Sequence, residues 1–319
     1  MEATGIVGHV GRKGLRFALT DAAAGFQADS LRHYGADRGA SVSGALSAFQ
    51  QDLALSRLPE RLAIAVAGLA RGDAISITQT RWFVSRSGLQ AMLGQPPLIL
   101  NDFEAEAWAL SGGHAMLTPA AGSLPMLDRP GTYCVLGMTT GLGAAVLVRK
   151  PDGAVHVLAT EAGHGGFAPG SPAMAALTAR LFPDRHPVLA EPLISASGLV
   201  AIYTGLAAMQ ALPPRLTTPE EITRAASSDP LARHACEMLC EAFWTQASSL
   251  VLTYGSWDGV IVTGKLAAAL RQMLAAPRMQ TVFAGTGKYA RLLATVPRAI
   301  ATLDQGPLTG AAQALQRQG

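Results

Sequence analysis

Glu161 and His164 stand three residues apart in the run Glu161-Ala162-Gly163-His164-Gly165-Gly166, directly after a strand-like stretch. Neither side chain fits a regular apolar face there, so both point to a cleft or to solvent. A carboxylate and an imidazole so placed can hydrogen-bond two hydroxyls of a polyol, or start a metal site, although a closed zinc site needs further ligands. Asn101-Asp102 ends an apolar strand-like run and opens a helical one. Asn101 is a good helix N-cap, with Glu104 completing a capping-box pattern, and Asp102 suits the first helical turn. A carboxylate at the carboxyl edge of a sheet is equally placed to take a proton from a substrate hydroxyl. Glu191, just before Pro192, has no local feature that separates it from a solvated acid.

Two glycine turns could meet an anion. Thr139-Thr140-Gly141-Leu142-Gly143 joins two apolar runs, and glycines there let backbone N–H groups converge on one phosphate. Gly/Thr hairpin turns also occur with no ligand at all. Gly264, ending the apolar run after Gly255, is ambiguous in the same way. Cys236 and Cys240 are four apart on a helical stretch, Cys134 lies in a strand, and no second ligand pair accompanies them. They are expected to be buried reduced thiols.

The elements that must position these groups follow from apolar periodicity. Residues 5–20 predict a hairpin turning at Gly11-Arg12-Lys13-Gly14, 41–56 a helix, 62–70 a strand buried on both faces, and 75–85 an extended stretch. A strand ends at Asn101, and the helix after it stops at Gly112-Gly113. From Tyr133 the strand–turn–strand scheme repeats, with a further turn at Pro151-Asp152-Gly153. Helices are expected over 173–182, 196–211 and 218–250, then a strand over 259–263, a last strand at Ile300 and a C-terminal helix. The pattern is mixed α/β with two similar sheets and a cleft between them.

The 319 residues are 49% hydrophobic and 15% charged, with a formal charge of +3, which describes a globular chain large enough for two domains. The basic residues form no run, so no nucleic-acid or membrane footprint is expected. No signal-like segment and no apolar run of spanning length are present, so a cytoplasmic location is expected.

Taken in order, these pieces resemble the bacterial glucokinases of the hexokinase–actin type over nearly the whole chain. The carriers are Gly72-Asp73-Ala74-Ile75 with Thr78-Gln79-Thr80-Arg81-Trp82, then Asn101-Asp102-Phe103, and Thr140-Gly141-Leu142-Gly143. Glu161-Ala162-Gly163-His164 with Phe167-Ala168-Pro169 follows, and Glu191 leads into Leu193-Ile194-Ser195-Ala196-Ser197-Gly198-Leu199. Near the end come Gly259-Val260-Ile261-Val262-Thr263-Gly264 and Gly306-Pro307-Leu308-Thr309-Gly310-Ala311. The resemblance implies a two-domain actin-like ATPase (ribonuclease H-like) fold with an interdomain cleft, residues 1–111 plus 300–319 forming a small α/β domain and 112–299 a large one. It implies ATP-dependent phosphorylation of glucose, with Asp102 as general base and Asn101, Glu161, His164 and Glu191 on the other sugar hydroxyls. Gly8, Gly11, Arg12, Lys13, Thr139, Thr140, Gly141, Gly143 and Gly264 would face ATP and its Mg²⁺. A homodimer is implied as well.

The nucleotide side departs from the family pattern. The opening motif of the family is close to Gly-Asp-x-Gly-Gly-Thr-Asn, in which the Asp helps to hold Mg²⁺. Here the run is Gly8-His9-Val10-Gly11-Arg12-Lys13-Gly14, the first residue of the second turn is Thr139 in place of glycine, and Lys265 follows Gly264. Imidazole is a poor ligand for a hard, oxygen-seeking cation. These departures leave a second expectation open, a sugar-binding sensor without catalysis, and a third, a kinase whose Arg12 and Lys13 clamp a different phosphoryl donor.

Overall fold

A computed structural model of the chain describes residues 4–11, 14–20, 25–35, 41–77, 80, 82–113 and 115–318. It divides into two compact units, Met1–Ala115 with Leu303–Gly319, and Met116–Thr302.

In the first unit β1 (Gly5–Gly11) and β2 (Gly14–Thr20) form the expected hairpin, and β3 (Arg32–Tyr34) extends it. Helix α1 (Val42–Asp52), capped by Ser41, leads to β4 (Leu62–Val66), whose five residues are all buried. A small two-stranded sheet, β5 (Ala74–Ser76) and β6 (Phe83–Ser85), precedes α2 (Arg86–Leu93), β7 (Leu98–Asn101) and α3 (Asp102–Ser111). The main sheet runs β3-β2-β1-β4-β7, with β1, β4 and β7 parallel. One face packs Phe17, Phe49 and Leu46 into a core with α1.

The second unit begins with β8 (Met116–Ala121), followed by the meander β9 (Gly131–Met138), β10 (Leu142–Arg149) and β11 (Val155–Thr160). Helices α4 (Pro172–Leu181), α5 (Ala196–Met209), α6 (Pro219–Ala225) and α7 (Pro230–Tyr254) pack about a core centred on Phe243 and Trp244. Then come β12 (Gly259–Thr263), the short helices α8 (Lys265–Ala269), α9 (Arg271–Leu274), α10 (Pro277–Ala284) and α11 (Ala290–Thr295), and β13 (Arg298–Thr302). The sheet order is β11-β10-β9-β12-β13-β8. Its antiparallel triplet followed by parallel strands repeats the scheme of the first unit.

The single helix expected over 218–250 is two helices. Asp229 caps α7 and Pro230 takes its first position, which has no N–H to contribute to an earlier helix. All three cysteines are buried, and burial raises the Cys134 and Cys236 thiols to about 12, so they stay protonated and inert. Among the described residues, no helix is long and apolar enough to cross a membrane.

The chain closes with α12 (Gly306–Gln318), which returns to the first unit against α3, β1 and β4. A Cβ at Gly310 would lie 1.6 Å from the Ala105 carbonyl oxygen, so only glycine permits so close a crossing with α3. Gln305 lies against Arg16 and Leu315 against Gly5, so α12 runs back along β1 from its carboxyl end.

Candidate active site

In the first unit β7 delivers Asn101 and Asp102 to the point where sheet becomes helix. The Asn101 side chain is committed to structure. Its Oδ1 accepts from the N–H groups of Phe103 at 2.8 Å and Glu104 at 3.3 Å, and its Nδ2 donates to the Gly68 carbonyl at 3.2 Å. Glu104 returns the capping box by accepting the Asn101 N–H at 3.3 Å, and burial pushes its carboxyl above the usual carboxylate range. Because Asn101 does the capping, that task does not fall to Asp102. The half-buried Asp102 accepts the Phe103 N–H through Oδ1 at 2.9 Å, in the first turn of α3.

In the second unit Glu161, His164, Glu191 and the Thr139–Gly143 turn form one cluster. Glu161 precedes and His164 ends a 3₁₀ turn over Ala162–His164, with His164 Nε2 3.9 Å from Glu161 Oε2 and both side chains exposed. Two backbone bonds tie this turn to the segment before α5: Glu191 N–H donates to Gly163 O at 2.9 Å, and Ala190 N–H to Gly165 O at 2.9 Å. Gly163 in turn lies on the glycine turn. A Cβ there would come 1.9 Å from the Leu142 carbonyl oxygen, which any side chain would forbid.

Glu191 also has a local role that its surroundings in sequence do not reveal. Its Oε2 accepts the Leu142 N–H at 3.1 Å. Within the turn, Thr139 N–H donates to Gly141 O at 2.9 Å, and Thr140 is exposed. Gly143 is in register with Gly137 on β9. Gly264 ends the neighbouring β12 at φ +101°, where a Cβ would meet the Met138 carbonyl oxygen at 2.3 Å. Residues 139–143 and Gly264 thus lie side by side at the carboxyl ends of adjacent strands.

The opening hairpin carries the remaining predicted residues. Gly8 is buried within β1, where a Cβ would meet Ile64 and Phe17. Gly11 ends β1 opposite Gly14, while Arg12 and Lys13 lie outside the described residues. His9 is half-buried and in register with Arg16 on β2. Arg16 Nη2 lies 2.5 Å from His9 Nδ1, and Arg16 Nη1 donates to Gln305 Oε1. Burial, with the Arg16 charge adding to it, lowers the His9 pKa to about 3, so its ring is neutral. Sequence reasoning missed Arg16 and Gln305. The register of a tight hairpin was the available signal for Arg16, since His9 and Arg16 stand two residues outside Gly11 and Gly14.

The family model described as Glucokinase matches residues 6–318. A glucokinase from Stenotrophomonas maltophilia (strain R551-3) is 33% identical over 321 residues, covering 96% of this chain and 93% of that protein. Among solved structures, a glucokinase from an Antarctic psychrotroph superposes with a TM-score of 0.81 at 25% identity, covering 97% of this chain and 98% of that one. A ROK-family glucokinase from Streptomyces griseus, solved with glucose and AMPPNP, gives a TM-score of 0.64 at 18% identity, with 99% of each chain covered. The duplicated sheet scheme, the capped Asn101-Asp102 junction and these full-length matches agree: the chain belongs to the glucokinase family.

Proposed function

We propose that the protein transfers the terminal phosphoryl group of ATP to the 6-hydroxyl of D-glucose, giving glucose 6-phosphate and ADP. The observation that carries this reading is Asp102, a half-buried carboxylate at the carboxyl end of β7 whose capping duty is taken by Asn101. Asp102 accepts the proton of the 6-hydroxyl as the new O–P bond forms and the bond to ADP breaks. Asn101 holds the loop and, beside Asp102, meets the sugar. Glu161, His164 and Glu191 take the other hydroxyls, each carboxylate being able to accept two adjacent O–H groups. Gly8 of β1 and Gly11, Arg12 and Lys13 of the first turn, with Thr139, Thr140, Gly141, Gly143 and Gly264 of the second unit, serve the nucleotide.

Membership of the glucokinase family over residues 6–318 favours this reading over a sugar sensor without catalysis. The Streptomyces griseus relative, whose crystals held glucose and AMPPNP, supports the substrate pair. We further propose a cytoplasmic homodimer, which light scattering on the purified protein and fractionation of cells test directly. The decisive assay couples glucose 6-phosphate formation to a dehydrogenase, with saturating glucose and Mg-ATP. Steady turnover is expected; folded protein that phosphorylates no hexose overturns the proposal.

A further inference from the structure

We propose that His9 and Arg16 form a metal-independent grip on the terminal phosphate of the nucleotide, Arg16 holding His9 as the Nε2–H tautomer so that both groups donate to phosphate oxygen. This rests on the kinase reading above. Guanidinium has five N–H donors and no acceptor, so the 2.5 Å contact of Arg16 Nη2 makes His9 Nδ1 the acceptor. The ring is neutral, and its one proton therefore sits on Nε2. That edge of the ring lies toward Gly11, where a Cβ would be 3.3 Å from Nε2 and 3.2 Å from Cε1.

The family holds a carboxylate and Mg²⁺ at this position, and the residues present do not fit that cation. One imidazole nitrogen is engaged by Arg16 and the other carries a proton, so no lone pair is left for a metal. Mg²⁺ also demands oxygen ligands, and a fixed guanidinium beside the site repels it. What remains is a set of donors only. Nε2–H lies beside Gly11, and Arg16 is bonded to Gln305, just before the positive end of α12. A donor pair of this kind suits an anion, and phosphate is the anion that the reaction brings. Gln305 pins Arg16 from a left-handed conformation, φ +49°, that non-glycine residues adopt at some cost. Arg16 is in this sense both a ligand and a positioning residue for His9.

The test is calorimetric titration of the full chain with AMPPNP, once in excess Mg²⁺ and once in EDTA, beside the coupled glucose 6-phosphate assay. Removing the cation is expected to change the affinity by less than about threefold. Nitrogen-resolved NMR of the histidines is expected to show His9 as the neutral Nε2–H form. His9→Asp sets a carboxylate against phosphate and should weaken binding in EDTA about tenfold or more, roughly 1.4 kcal/mol. His9→Gln, whose amide can accept from Arg16 and donate into the turn, should bind within about threefold of the wild type in EDTA.

A wild-type affinity that falls about tenfold or more in EDTA overturns the inference. So does an Nδ1–H tautomer, or no binding of AMPPNP under either condition. Because the first measurement needs no variant, a misfolded His9→Asp protein does not shelter the idea. Brisk glucose phosphorylation with cation-dependent binding removes the grip and leaves the kinase standing. Cation-independent binding lost in His9→Asp, without turnover, does the reverse.

Discussion

Glu191 Oε2 accepts the Leu142 N–H at 3.1 Å, so a carboxylate assigned to glucose also holds the glycine turn assigned to ATP. On the proposed assignments, one side chain would serve both substrates. Glu191→Ala is expected to raise KM for glucose and KM for ATP together, each by about tenfold, as fits loss of a charge-assisted hydrogen bond. Initial-rate kinetics with each substrate varied in turn check this; a rise in the glucose KM alone would sever the link.

If Asp102 is the general base, it and Asn101 divide chemistry from capping. Asp102→Asn should lower kcat by about 10²- to 10⁴-fold, the range for loss of a general base, with glucose still bound. The melting temperature should move little, since a first-turn carboxylate contributes only about 0.3–1 kcal/mol. Asn101→Ala removes the cap and the bond to Gly68, and should cost about 1–2 kcal/mol in urea denaturation. Equal stability losses in the two variants would contradict this division.

Gly163→Ala forces a methyl group into the Leu142 carbonyl and should destabilise the second unit by about 1–3 kcal/mol. At Gly165 a Cβ would lie 3.1 Å from the Ala162 carbonyl oxygen, a tight contact but a far looser one, so alanine should be accepted there at smaller cost. Thermal denaturation of the two variants side by side provides the comparison.

His9 makes acid stability a readout of the hairpin. The folded chain holds this ring at a pKa of about 3 against 6.5 for the ordinary side chain. Between those values the unfolded chain binds a proton that the folded one does not. Stability from this residue is therefore complete above about pH 6.5 and is lost as pH falls toward 3, at up to about 1.4 kcal/mol per pH unit. Denaturant titrations at several pH values should show His9→Gln with a shallower acid slope than the wild type.

Much of this architecture is legible in the chain, for identifiable reasons. Strands β4, β9 and β12 are continuous apolar runs, and Asn101 with Glu104 announces the start of α3. Strand β8 is not legible, because it is an edge strand containing Pro119 whose exposed and buried residues do not alternate. The break between α6 and α7 was signalled by Asp229-Pro230 and overridden by the long apolar periodicity around it. For the site, residue types identify Glu161, His164 and Asp102 as candidates. Nothing near Glu191 in sequence points to Leu142, because that contact is made by chain returning from 49 residues away.

Helix α12 governs how the chain can fold as it is made. A ribosome releases β1 first, yet the sheet face that carries Gly5 and Val7 is covered by a helix encoded after all of Met116–Thr302. During synthesis the second unit can complete its fold while the first still lacks its lid of Leu308, Ala311 and Leu315. The nascent amino-terminal sheet must therefore wait, half-dressed, for its carboxyl-terminal residues, and ribosome stalling before residue 306 should yield a protease-resistant second unit beside a digestible first.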